Sequence, residues 1–168
     1  AHIALAFGYW NAVDYGWAPI DEAMANWLRE AQRAVELDPS DATAHVILGL
    51  RWLYANDFPP AAAEFEAALR ANPNDAAALS LIAGNSAWLE PPGRLVTLVE
   101  RAQRLDPLNI RTSHMAKLAY YFAGDFEKVI INSKAHGTLS FFDYQYLAMS
   151  YGHVYVARPP LFRVDAPA

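Results

Sequence analysis

Five histidines, at positions 2, 45, 114, 136 and 153, are the residues of this 168-residue sequence best suited to bind a metal or move a proton near neutral pH. No two stand three or four apart, the spacing that places two ligands on one helix face, so no metal site is expected. Glu64 and Glu66 are close in sequence, but side chains two apart on a helix point in different directions, and solvation is their expected role. Asp21 and Glu22 stand at the start of a helical run, where negative charge complements the helix macrodipole. The absence of cysteine excludes disulfides, thiolate nucleophiles and Cys-based zinc sites. Neither GxGxxG nor GxxxxGK followed by Ser or Thr occurs, and no serine sits in a GxSxG elbow. Gly8, Gly49 and Gly84 are expected at close helix contacts rather than around a phosphate. These residue types and spacings predict a chain that is not an enzyme and carries no cofactor.

Composition narrows the class further. Of the 54% hydrophobic residues many are alanine, 32 in all, the best helix former. No run reaches the 18 or so apolar residues of a membrane-spanning helix, and no signal peptide is visible, so a soluble cytoplasmic chain without membrane insertion is expected. Net charge is −5, with −7 on residues 1–75 and +2 on residues 76–168. That balance argues against nucleic acid, which requires a basic footprint. The chain opens at Ala1 on AHIALAFGYW with no initiator methionine, which suggests a piece of a larger protein.

The elements that position these residues follow from three prolines. Pro39, Pro73 and Pro107 recur at intervals of 34 inside LDPSD, ANPND and LDPLN. Proline ends a helix because it lacks an N–H and its ring clashes with the preceding turn, so a fixed interval marks one repeated helical unit. In residues 42–75, His45, Leu48, Gly49 and Trp52 take unit positions 4, 7, 8 and 11, while Ala61, Phe65, Ala68 and Pro73 take 20, 24, 27 and 32. Small residues at 8, 20 and 27 let two antiparallel helices approach, with Trp52 and Phe65 as core. Asp41, Asp75 and Asn109 precede helical runs as N-caps, and Pro59 and Pro60 suit the first turn of a second helix.

This pattern resembles the tetratricopeptide repeat, W-x2-L-G-x2-Y, then A-x3-F, then P. The resemblance implies an all-α superhelix of antiparallel helix pairs, with repeats over about 1–41, 42–75, 76–109 and 110–140, a final helix at 141–154 and an extended Pro-containing tail at 155–168. The first repeat exceeds the unit by seven residues, which places a long turn at DYGWAP, residues 14–19, between helices at 4–13 and from Ile20. Ser133, His136 and Gly137 depart from the pattern and predict a short or irregular second helix in the fourth repeat. A narrower likeness, carried by DYGWAPIDEA, three DP- or NP-ended repeats and RLDPLNIRTSHMAKLAYYFAGDFEKVI, is similar to the module C-terminal to the catalytic domain of bacterial class III adenylate or guanylate cyclase-like proteins and to that of some winged-helix regulators.

In that family, first-helix positions 2, 5, 9, 12 and 13 face a concave groove. They correspond here to Leu50, Leu53, Tyr54, Ala87, Trp88, His114, Leu118, Tyr121 and Phe122, an aromatic, mostly uncharged surface suited to a peptide or a partner helix. The family's chaperone-tail members clamp a carboxylate with basic residues, and only Arg111 matches that chemistry. Two alternatives stand beside a partner-binding groove: Trp88 and Phe122 as intramolecular core, and the ARPPLFRV tail folded back into the groove. Tyr9 and Trp10 near one end, with Phe141, Phe142 and Tyr146 near the other, suggest a homodimer contact. The expected function is non-catalytic protein or peptide binding, with relay of a signal to a cyclase or DNA-binding domain as the alternative.

Overall fold

The computed structural model describes residues 1–135 and 145–151. The predicted tail at 155–168 lies outside them, as do His136 and Gly137 of the fourth repeat and Phe141, Phe142 and His153 of the predicted final helix. Four antiparallel pairs follow in chain order: α1 (His2–Tyr15) with α2 (Ile20–Leu37), α3 (Ala42–Tyr54) with α4 (Phe58–Ala71), α5 (Ala76–Asn85) with α6 (Pro92–Leu105), and α7 (Ile110–Phe122) with α8 (Phe126–Ala135). Residues 145–151 are helical again, and no strand occurs among the described residues. Each helix packs on its pair partner, and α1, α3, α5 and α7 also pack on one another in succession, so the chain is an all-α superhelix with its first helices on one side.

The repeat junctions are built alike because they carry like residues. Asp38, Asn72 and Asp106 leave their helices at φ −145°, −144° and −141°, and their N–H groups donate to the carbonyls of Ala34, Ala68 and Ala102. Proline follows each, where it cannot continue the helix. Asp41 then accepts from the N–H groups of Thr43 at 2.8 Å and Ala44 at 3.2 Å, Asp75 from Ala78 at 2.9 Å, and Asn109 from Arg111 at 3.0 Å and Thr112 at 3.3 Å. Asp41→Ala is expected to lower stability by about 1 kcal/mol; an unchanged urea midpoint would contradict the cap.

Within the second and fourth pairs the chain reverses through one left-handed residue, Asn56 at φ 59° and Gly124 at φ 75°. The next N–H, of Asp57 or Asp125, returns to the carbonyl of Trp52 at 3.0 Å or Tyr120 at 2.9 Å, the closing bond of a Schellman turn. The third pair differs. The Asn85 amide donates to the Leu81 carbonyl at 2.8 Å and the Ser86 hydroxyl to that of Ile82 at 2.6 Å, and such back-bonding competes with helix propagation. Thus α5 has 10 residues where α3 and α7 have 13, and Trp88 stands in the turn rather than on the helix.

The first repeat corrects the sequence expectation. α1 runs on to Tyr15, Gly16 closes it at φ 65°, and the turn is only Gly16–Pro19. The extra length resides in helix instead, chiefly in the 18-residue α2 against 14 residues in α4 and α6. Gly8 is likewise not a contact glycine: a Cβ there would meet nothing within 4 Å, because Ala6 and Trp10 are the buried residues of α1. In the fourth pair α8 is short, at 10 residues, and its inward Asn132 accepts a hydrogen bond from the Ser113 hydroxyl at 2.8 Å, a polar contact at the repeat positions that His45 and Glu64 hold in the second pair.

Gly49 and Gly84 do sit at close approaches. A Cβ on Gly49 would lie 2.6 Å from the Phe65 ring and 3.2 Å from the Ala61 carbonyl, and one on Gly84 2.6 Å from Met115 Sδ. Leu48, Ala61, Phe65 and Ala68 are buried around the first contact. Trp52 is only half-buried: its ring lies at the core's edge with the Arg51 guanidinium 5.9 Å from it. Successive second helices are joined on the outer side by Arg94 with Glu66 and by Lys128 with Glu100, the latter at 2.9 Å. Exposed pairs of this kind contribute about 0–1 kcal/mol, so apolar packing holds the stack.

Candidate partner-binding groove

The first helices form an open cavity of about 990 Å³, lined by residues from α1, α3, α5 and α7, from the turns after α3 and α5, by Phe58 of α4 and by Tyr146 of the last helical stretch. Several predicted groove residues lie on its wall: Leu53, Tyr54, Ala87, Trp88, Arg111, His114, Leu118 and Phe122. Tyr54, Trp88 and Phe122 share one repeat position, 34 residues apart, and are 37%, 82% and 42% exposed. Tyr54 and Phe122 end their helices and Trp88 stands in the turn after α5, so three repeats each contribute one ring to the wall. The exposure of Trp88 rules out a place in the core, and Phe122 is also open to solvent.

Two predicted members are displaced. Leu50 is fully buried, because its side chain packs into the apolar core between the helices rather than onto the cavity wall. Tyr121 is not on the cavity wall; it packs edge-on against Phe122, Phe126 and Tyr146 at centroid distances of 5.8, 5.7 and 5.1 Å. The 145–151 helix thereby covers α7 as a further repeat would.

Trp10 is corrected as well. Expected at an exposed end, it is 8% accessible, stacked on Trp27 at 6.0 Å and edge-on to Tyr54 at 6.3 Å. Its indole N–H donates to the Tyr54 hydroxyl at 3.0 Å, which donates in turn to Asp14 Oδ1 at 2.8 Å. Burial pushes the Tyr54 phenol well above its ordinary range, with the Asp14 hydrogen bond and charge adding to the effect. Burial also raises the Asp14 carboxyl, opposed by the Tyr54 donor. Tyr54 is thus held as a neutral donor with its ring turned to the groove.

Across the cavity the Arg111 guanidinium lies 5.1 Å from the Phe7 ring, so the first and fourth repeats meet over the groove. The α1 lining residues Phe7, Asn11, Asp14 and Tyr15 escape the sequence pattern because the first repeat departs from the 34-residue register. Phe58 and Tyr146 escape it because one belongs to a second helix and the other follows the repeats.

Two histidines outside the groove hold carboxylates of neighbouring helices. His2 Nδ1 pairs with Glu30 at 2.7 Å, a hydrogen bond that lowers the Glu30 carboxyl's pKa against the opposing effect of desolvation. His45 bridges Glu64 at 2.7 Å and the Pro39 carbonyl at 2.9 Å. Among the described residues no three His, Asp or Glu converge as metal ligands, and no helix is long and apolar enough to cross a membrane.

No family model matches the chain, and no curated protein matches it. Among solved structures, a MamA mutant superposes with TM-score 0.56 at 13% identity, covering 91% of this chain and 87% of that one. MamA AMB-1 gives TM-score 0.55 at 13% identity, covering 91% and 82%. The chain shares with them the fold of a tetratricopeptide-like helical solenoid.

Proposed function

We propose that the protein is a non-catalytic interaction module that takes a peptide or partner subunit in its aromatic groove, within a larger bacterial, cytoplasmic regulatory protein. The observation that carries this is the 990 Å³ cavity with Tyr54, Trp88 and Phe122 on its wall. A concave, largely apolar surface on a rigid scaffold favours binding by burying aromatic anchors without first ordering them. Trp88→Ala is expected to weaken capture of the partner by about 2 kcal/mol, roughly 30-fold in Kd, with an unchanged melting temperature because the ring is 82% exposed. Equal capture by wild type and variant would remove the groove as the binding surface.

A second reading is a regulatory or dimerisation domain that relays a signal to a cyclase or DNA-binding domain. It is favoured by apolar side chains at the C-terminal end of the stack, where Ile131, Met149 and Tyr151 are 66%, 48% and 44% exposed. Sedimentation at rising concentration tests it: a single monomeric species throughout would argue against self-association.

A further inference from the structure

Two charged side chains on the groove wall stand at the wrong ends of their helices. Arg111 is in the first turn of α7 and Asp14 in the last turn of α1, where the helix macrodipole disfavours a cation and an anion respectively. Neither charge is compensated among the described residues: no carboxylate meets the Arg111 guanidinium, which lies 5.1 Å from the Phe7 ring, and no cation meets Asp14, which accepts the Tyr54 hydroxyl at 2.8 Å. Both residues are open to solvent, and no other Asp, Glu, Lys or Arg lines the cavity. Charges set against the local preference with nothing to offset them mark a functional position. Resting on the groove being an interaction surface, we infer that its occupant is an extended segment of a partner polypeptide with an acidic and a basic side chain three residues apart, the acid on Arg111 and the base on Asp14.

The spacing follows from α1. Phe7, Trp10, Asn11, Asp14 and Tyr15 line the cavity, and their intervals of three and four keep them on one helix face. Arg111 sits on Phe7, and Asp14 is seven residues further along, about 10 Å at 1.5 Å per residue. In a polyproline II segment, side chains three apart point to the same side and are separated by about 9 Å. A helical occupant, about 10–12 Å across, does not fit where α7 already reaches α1 through Arg111 and Phe7. Stacking on a ring leaves the in-plane N–H groups of a guanidinium free to bind a carboxylate, so the acid docks at this closed end. The Asp14 carboxylate has acceptor capacity beyond its one hydrogen bond to Tyr54. Desolvation raises its pKa, with the Tyr54 donor opposing, so an arriving cation supplies stabilisation that water there does not. Between the two charges the apolar residues of the segment meet the aromatic wall, the kind of surface on which polyproline II segments dock.

The test uses the whole 168-residue chain and fluorescein-labelled synthetic peptide pools, each with a mixture of Leu, Phe, Pro and Val between fixed outer residues: Glu-x-x-Arg, Arg-x-x-Glu, Glu-x-x-Glu and Arg-x-x-Arg. In polarisation titrations one of the two opposite-charge pools, according to chain direction, is expected to bind about tenfold more tightly than either like-charge pool. Arg111→Glu should transfer the preference to Arg-x-x-Arg, and Asp14→Arg to Glu-x-x-Glu. Should a reversed charge cost helicity by circular dichroism, Arg111→Gln should erase the preference for the acid, and Asp14→Asn, which still accepts the Tyr54 hydroxyl, the preference for the base. Absence of binding by every pool, equal affinities across the pools, or a preference that these variants leave unmoved overturns the proposal. Tighter binding of peptides with the same charges seven residues apart, the helical spacing, overturns it as well. If the pools show no charge preference while Trp88→Ala still weakens partner capture, the charge pairing fails and the partner-binding groove stands; if Trp88→Ala also leaves capture intact, both fail.

Discussion

Trp27→Ala is expected to destabilise the protein by about 3–5 kcal/mol, the cost of removing a large ring from a packed core. Trp27 is fully buried, its indole N–H donates to the Ile47 carbonyl at 3.0 Å, and its ring lies 6.0 Å from Trp10 and 5.2 Å from Tyr54. One side chain on α2 thus ties α1 and α3 together and supports the groove residue Tyr54 from behind. For a chain of this size the melting temperature should fall by roughly 10 °C, read by calorimetry or by far-ultraviolet dichroism. Trp27→Phe, which keeps a ring but loses volume and the N–H donor, should fall between. A loss below about 1 kcal/mol in the alanine variant would mean the core closes around the gap and this cluster is not what joins the first two repeats.

Gly49→Leu is expected to cost at least about 1–3 kcal/mol through overpacking. Even the first added carbon meets the Phe65 ring at 2.6 Å, and Phe65, with 1% accessibility, has no open space to turn into; the Ala61 carbonyl at 3.2 Å closes the other side. Gly8→Ala is the matching control. Nothing lies within 4 Å of a Cβ there, and replacing a mid-helix glycine by alanine should stabilise by roughly 0.5–1 kcal/mol. Opposite shifts in urea midpoint for the two glycines are the expected result. A destabilised Gly8→Ala would show that α1 packs differently from its described position.

The features legible in the sequence were the local ones. Pro39, Pro73 and Pro107 with their flanking Asp and Asn residues define helix ends through bonds spanning only a few residues, and each junction repeats the same geometry. Gly49 against Phe65 was legible too, because both lie within one 34-residue unit whose small and large positions are complementary. Gly8 was not, since its own pair departs from that unit by seven residues.

Only the tertiary structure decided how the repeats close on one another. Leu50 and Leu118 hold the same repeat position, yet Leu50 is sealed in the core while Leu118 stays on the cavity wall, because a position's exposure depends on the side chains that neighbouring helices pack around it. Trp10, at a terminus in sequence, became interior once α2 and α3 packed over it. Tyr121 was taken out of the groove by Tyr146, and Arg111 was brought onto Phe7 from the far end of the stack. Caps and turns are encoded by adjacent residues and can be read along the chain; the groove is assembled from one face of every first helix, so its membership depends on the superhelical stacking that brings distant residues together.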